Sequence, residues 1–220
     1  MDLERIISKR FSCRKYLPKP VPRETIDAIL EVAQKTPSWC NTQPWQVILL
    51  SGQAADLFRE KMHAHAAAGP AINPDFPFPP RYEGTYRERR KVCGVQLYQA
   101  LGISRENKAA AAEQSLENFR MFGAPHLALI TTEAELGVYG AVDCGLYVSS
   151  FMLAAGSFGV ATIAQAALAS YPDFIRSYFD LPGTRKMVCG ISFGYADDSH
   201  PINKYRTGRA PVADSVRYVD

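Results

Sequence analysis

Apolar positions recur along this chain with two different periods. Ile26, Ile29, Leu30 and Ala33 follow the i, i+3, i+4, i+7 rule and predict an amphipathic helix over residues 23–34. Leu57, Phe58 and Met62 predict another over residues 54–66, and Leu3, Ile6 and Ile7 a short one behind Asp2, a capping residue. Residues 137–156 are apolar on most sides, which predicts a long, buried central helix. Residues 83–101 and 105–122 also read as helical, and Pro172 suits the first turn of a helix over 172–179. Short apolar or β-branched runs at 45–50, 124–131, 160–163 and 187–193 predict strands, and residues 216–219 carry a little late β propensity.

Helices outnumber strands, and one or two helices separate each strand from the next. That order predicts one α+β or α/β domain, a sandwich with a mixed sheet. Pro18, Pro20 and Pro22 force an extended connection, and residues 37–44 form a loop. Residues 69–84 hold Pro70, Pro74, Pro77, Pro79 and Pro80 among Phe76, Phe78 and Tyr82. Such a stretch is irregular, and long irregular segments inside compact domains are often functional lids.

Composition narrows the function. Of 220 residues, 47% are apolar and 21% charged, with a net charge of +3. A chain this long buries roughly 70–75% of its unfolded surface and needs no disulfide or metal staple. The basic surplus is too small for a nucleic-acid partner or a polybasic membrane binder. Its distribution says more: residues 5–23 contain seven Lys or Arg and no Asp or Glu, and the tail adds Lys204, Arg206 and Arg209. The five cysteines are odd in number, widely spaced and without a Cys-x-x-Cys pair, so they read as buried thiols in a reducing cytosol. The N-terminus has no apolar signal core, and residues 138–158, the most apolar stretch, are interrupted by Asp143 and by several Gly and Ser. A cytoplasmic protein without nucleic-acid or membrane partners is expected.

Several familiar chemistries fail on context. Gly190-Ile-Ser-Phe-Gly194 matches the hydrolase elbow, but it lies inside an apolar strand with no helix after it. Ser12-Cys-Arg-Lys15 lacks the companion motifs of the penicillin-binding enzymes. There is no Gly-x-Gly-x-x-Gly and no Walker loop. His63 and His65 are two apart and do not share a helix face, so no metal site is expected. No catalytic side chain is assigned, which leaves the chemistry to a cofactor.

Four motifs survive. In Arg10-Phe-Ser-Cys-Arg14 an extended backbone would point two guanidiniums and a hydroxyl the same way, a set suited to phosphate. In Pro37-Ser-Trp-Cys-Asn-Thr-Gln-Pro-Trp45 polar side chains alternate with rigid rings, suited either to a flat polar ligand or to core packing of the two tryptophans. Thr162-Ile-Ala-Gln-Ala-Ala-Leu168 runs a strand into small residues that let a planar ligand approach backbone N–H groups. Asn203-Lys-Tyr-Arg-Thr-Gly-Arg209 adds two more guanidiniums.

Taken in order with Gly194-Tyr-Ala-Asp197, these motifs resemble the bacterial nitroreductase family of flavoproteins, in its nitrobenzoate-reductase-like branch, from Arg10 to Arg209. The resemblance implies a three-layer α/β/α sandwich, a mixed and mostly antiparallel sheet around a long central helix, and an intertwined homodimer with FMN at the subunit interface. It implies one domain over residues 1–220, with 69–101 as the lid and substrate-loop region and 200–220 as a C-terminal extension. Arg10 and Ser12 would hold the FMN phosphate and ribityl chain, with Arg206 and Arg209 completing the phosphate site. Arg14 would lie near the N1/O2 edge of the ring. Pro37, Ser38, Trp39 and Asn41 would reach the flavin from the partner subunit. The segment Gln165, Ala166, Ala167 would present a backbone N–H to flavin N5. Tyr82 and Arg87 would influence the acceptor or the cofactor choice. The implied activity is ping-pong hydride transfer from NADPH or NADH to nitroaromatic compounds or quinones. Reductive dehalogenation, flavin fragmentation and a non-catalytic flavin- or anion-binding module are the alternatives. Many members have Pro-x-Glu-Gly or Pro-Gln-Gly where this chain has Ala164-Gln-Ala-Ala167, so the N5 donor stays open between Ala166 and Ala167.

Overall fold

The computed structural model describes residues 2–219. Four strands form one sheet: β1 (Gln46–Ser51), β2 (His126–Glu133), β3 (Ala161–Gln165) and β4 (Arg185–Gly194), in the order β1-β2-β4-β3. All three pairings are antiparallel, for instance Leu129 opposite Gly190 and Ile163 opposite Ser192. Among the described residues, the one parallel element is a bridge from Ser12 to Thr162 at the β3 edge, beside an antiparallel bridge from Tyr16 to Ala196. The 10–16 segment is therefore extended along β3, as the alternation of Arg10, Ser12 and Arg14 requires.

Two apolar cores lie on opposite faces of the sheet, because successive strand residues point to opposite sides. On one face Leu127, Leu129 and Met187 meet Phe58 and Met62 of α3 (Gly52–Ala67) and Ile175 of α7 (Pro172–Phe179). On the other, Ala128, Ile130, Ile191 and Phe193 meet Ile26 and Ile29 of α2 (Arg23–Ala33) and Tyr147 and Phe151 of α6 (Gly137–Ser157). Trp45 belongs to this second core, stacked on Tyr147 at 5.0 Å. The result is an α/β/α sandwich. Gly190 on β4 is required by packing: a Cβ there would stand 2.3 Å from Leu168 Cδ1, which fills the space.

Four expectations change. First, α6 is not buried all round. Val138, Tyr139, Val142 and Leu146 form an exposed apolar stripe along it, and Leu3 and Ile7 of α1 (Leu3–Lys9), which packs on α6, are also exposed. Residues Ala134–Ser157 are long and apolar enough to cross a membrane, yet 44% of the most apolar window is buried, as in a core helix. Second, the helix expected over 105–122 is only α5, Lys108–Leu116: residues 117–120 turn, and Met121 and Phe122 beyond them are left-handed (both φ 53°). Third, residues 216–219 form no strand. Fourth, the thiols are not uniformly buried: Cys40 is exposed, and Cys93 and Cys189 are half-buried.

The proline-rich segment is fastened at its start. Asp75, its side chain 5% exposed, accepts from Arg176 at 2.7 Å, Lys186 at 3.4 Å and the Met187 N–H at 2.8 Å. Phe78 packs against the α3 core. The following helix α4 (Gly84–Ala100) has no buried residue and lies against the 201–203 turn.

Candidate functional site

A cavity of about 390 Å³ opens beside α1, lined by Arg10, Phe11, Ser12, Arg14, Cys93, Tyr205, Arg206, Thr207 and Arg209. The two basic ends of the chain meet here. Arg10 closes α1, its N–H donating to Ile6 O at 3.0 Å. The extended 11–16 segment then carries Ser12 and Arg14 along the β3 edge. The return of the tail is fixed by Asn203, which is 3% exposed. Its Nδ2 donates to Lys15 O at 2.8 Å and Asp197 O at 2.9 Å, and its Oδ1 accepts from Arg14 N–H at 2.9 Å.

Arg14, Arg206 and Arg209 are each held by hydrogen bonds, none of them to a carboxylate. Arg14 Nη1 donates to Tyr205 Oη at 2.9 Å and to Ser12 O at 3.3 Å. Arg206 lies over the Phe11 ring, 3.9 Å from its centroid, and donates to Asn203 O at 2.6 Å. Arg209 donates to Thr207 Oγ1 at 3.1 Å and to nearby carbonyls. Among the described residues, Arg10, Arg14, Arg206 and Arg209 form no ion pair. Burial, and after it the charge of Arg209, hold Arg10 below the usual arginine range. Four arginines lining one cavity with a hydroxyl, without a counter-charge, make a site for a phosphate dianion.

The Trp39 segment lies elsewhere. Trp39–Asn41 is a single 3₁₀ turn, with Trp39 62% exposed and Cys40, Asn41 and Gln43 at φ 50°, 56° and 47°. Such positive φ in three non-glycine residues is backbone strain that surrounding structure must hold. Asp143 of α6, itself buried, accepts from Trp39 N–H at 3.0 Å, Ser38 Oγ accepts from Gln43 N–H at 2.9 Å, and Tyr139 meets Trp39 edge-on at 4.8 Å. Asp143, read from sequence as a break in an apolar run, is thus the anchor of this turn. Pro37 and Asn41 are exposed. A second cavity, of about 320 Å³, touches Arg10, Phe11 and the far end of α6 at Met152 and Gly156. At 1.5 Å per residue, Asp143 and Gly156 are about 20 Å apart along α6.

Beyond β3, Ala166–Ser170 form a 3₁₀ turn, with Ala166 exposed and Ala167 half-buried. The Gln165 side chain points the other way. It is 2% exposed and fully engaged by Asn118 and Ser192, so only the backbone of this segment is free for a ligand. Tyr82 and Arg87 are both exposed and line neither of these two cavities; Tyr82 lies beneath Arg90, 5.3 Å from centroid to guanidinium.

A family model, described as "Nitroreductase family", matches residues 7–195. The chain belongs to this family. It is 38% identical to nitroreductase NfnB of Mycolicibacterium smegmatis, covering 98% of this chain and 92% of that one. It is 32% identical to a 4-nitrobenzoate reductase of Pseudomonas putida, over 94% and 91% of the two chains. The crystal structure of an FMN- and NADPH-dependent nitroreductase NfnB from Sphigopyxis sp. strain HMH superposes with a TM-score of 0.96 at 27% identity, over the whole of both chains.

Sequence reading missed two groups of this cavity, Phe11 beneath Arg206 and Tyr205 against Arg14. Both sit between the basic residues of their motifs. An aromatic next to each arginine was the available signal, since guanidiniums favour ring faces.

Proposed function

We propose that this protein is an FMN-dependent NAD(P)H oxidoreductase that reduces nitroaromatic compounds or quinones, acting as a cytoplasmic homodimer with NADPH or NADH as donor. One observation carries the reading: in a chain of the Nitroreductase family, four arginines without carboxylate partners line one cavity with Ser12. The residues fit FMN. Arg10, Arg206 and Arg209 match a phosphate, the Ser12 hydroxyl a ribityl oxygen, and the Ala166–Ala167 turn offers first-turn amides to a ring. When bound, FMN supplies the two-electron carrier between nicotinamide and acceptor.

The chain's own residues bind, orient and polarise. Arg14, fixed by Tyr205 and Ser12 O, provides a preorganised positive charge that favours added negative charge at the ring edge. The Ala166–Ala167 amides donate on another side. No side-chain acid or base is called for, in keeping with the failed motif searches.

The homodimer reading rests on the exposed stripe of α6. Its apolar residues need cover, and they run from the Trp39 end of the helix to its middle. A two-fold axis across α6 brings the Trp39 turn of one chain to the phosphate cavity of the other. Any lid role falls on residues 80–101, because Asp75 holds the earlier part of the loop down. The test is direct: purified protein should carry or take up FMN, bleach on anaerobic addition of NADPH, and recover its colour when nitrobenzoate is added. Protein that stays colourless with added FMN contradicts the reading.

A further inference from the structure

Ser192 is the central residue of the Gly-x-Ser-x-Gly motif that supports no nucleophile. It is fully buried and engaged at both its polar atoms. Its carbonyl accepts from Tyr16 Oη at 2.9 Å, and its Oγ donates to Gln165 Oε1. Tyr16 is itself buried and ends the extended segment that carries Arg10, Ser12 and Arg14. Gln165 precedes the Ala166–Ala167 turn. Ser192 therefore joins two segments that reach the proposed FMN site from different parts of the chain.

The second link starts at Gln165. Its Nε2 donates to Asn118 O at 2.8 Å, with Asn118 Oδ1 at 3.4 Å. Asn118 leads into the left-handed turn at Met121 and Phe122, both buried. Ala166 and Ala167 have no side chains long enough to anchor their own turn. It is held instead from behind by Leu168, seated over Gly190, and by the Gln165 amide. On β3, Gln165 shares its strand face with Ile163, where an apolar residue would be the ordinary occupant. A buried amide with both ends bonded makes a rigid tie, and losing it leaves a carbonyl and a hydroxyl unpartnered.

We propose that Gln165 and Ser192 are positioning residues for the cofactor: a buried tie that holds the Ala166–Ala167 amides at a fixed offset from the Arg10–Arg14 strand. This rests on the reading that both segments border FMN. It assigns the serine of the false elbow a task, and it moves Gln165 from a contact residue to a support.

The test uses the full-length protein with FMN titrated in, reading affinity by flavin fluorescence, the visible spectrum of the bound flavin, and the melting temperature of the FMN-free chain. Gln165→Leu should weaken FMN about tenfold, as expected for one buried polar tie, and shift the bound spectrum toward that of free FMN. Its inhibition constant for inorganic phosphate, competing at the arginines, should stay at the wild-type value. Gln165→Glu keeps the acceptor for Ser192 but loses the donor to Asn118 while ionised. Its FMN affinity should improve as pH falls and the carboxyl becomes protonated, a trend absent from wild type. Ser192→Ala should weaken FMN in the same direction but less, and it decides the matter if Gln165→Leu does not fold. Wild-type affinity and spectrum in these variants, whatever happens to the melting temperature, would overturn the proposal. Failure of the FMN reading itself looks different: wild type would bind no FMN, or Arg10→Ala with Arg209→Ala would leave FMN affinity unchanged.

Discussion

The two ends of α6 present opposite surfaces. Near the end that meets α1, four arginines and Ser12 line one cavity, and the chain gathers them from residues nearly 200 apart in sequence. At the other end a strained turn displays Trp39 and Asn41 with no charge of their own, held by one carboxylate behind them. The first surface suits a compact dianion and leaves a flat ring unsupported; the second suits a ring edge and has nothing for a phosphate. Under the proposed function, each would be half of a site for a molecule that has both parts. The proposed homodimer would reconcile the halves by pairing the exposed apolar stripe of α6 with a second copy turned end for end.

The largest effect should come from breaking that pairing. Leu146→Glu puts a charge at the mid-helix end of the exposed stripe, where burying it unpaired costs several kcal/mol. Sedimentation should show monomers, and FMN binding should be lost with an intact cavity in every chain. A monomer that binds FMN normally would separate the two halves for good.

Next are the arginines. Removing Arg10 or Arg209 takes away charge-assisted bonds of about 1.5–3 kcal/mol each, so FMN affinity should fall roughly tenfold to a hundredfold per substitution. The two sites share one phosphate, so their effects should not simply add. Because Arg10 is destabilised partly by Arg209, the FMN-free chain should lose no melting temperature in Arg209→Ala. Trp39→Ala should be milder, lowering FMN affinity by about threefold to tenfold, in line with about 0.5–1.5 kcal/mol for an aromatic contact. Smaller again are Tyr82→Ala and Arg87→Ala. Both residues are exposed, so the KM for acceptor or donor should change by about fivefold at most, and FMN affinity should not move.

A control outside both halves sharpens the contrast. His126 is buried against Phe193; its Nε2 accepts from Val21 N–H at 2.8 Å, and Ser51 Oγ lies 2.7 Å from Nδ1. That arrangement needs the neutral ring, and burial lowers the pKa from 6.5. Below pH 6.5 the unfolded chain binds the proton and the folded chain resists it, so stability falls as pH drops until the folded group titrates too. Denaturant midpoints should decrease from pH 7.5 to 5.5, and His126→Gln should flatten the trend.

Much of this was legible in the residues. The amphipathic period of α2 and the apolar runs of the strands follow directly from burial on two faces. Arg10, Ser12 and Arg14 were readable as one face because an extended chain alternates, and the bridge to Thr162 keeps it extended. The end of the 105–122 helix was hidden because composition does not announce the turn over 117–120, nor the left-handed backbone of the buried Met121 and Phe122 beyond it. The exposure of α6 was hidden for a different reason: an apolar stripe looks the same whether it faces a core or another copy. The inward side chain of Gln165 was legible too, from its strand parity with Ile163.

Subunit complementation tests the central claim most directly. Arg10→Ala/Arg209→Ala chains and Trp39→Ala/Asn41→Ala chains are co-expressed with different tags, and mixed dimers are isolated and titrated with FMN. If each site takes its arginines from one chain and its Trp39 turn from the other, one site of the mixed dimer is wild type and the other carries all four changes. The account predicts one tightly bound FMN per mixed dimer, while each parent homodimer is weakened at both sites. If both halves came from the same chain, every site in the mixed dimer would remain defective, and no tight FMN would contradict it.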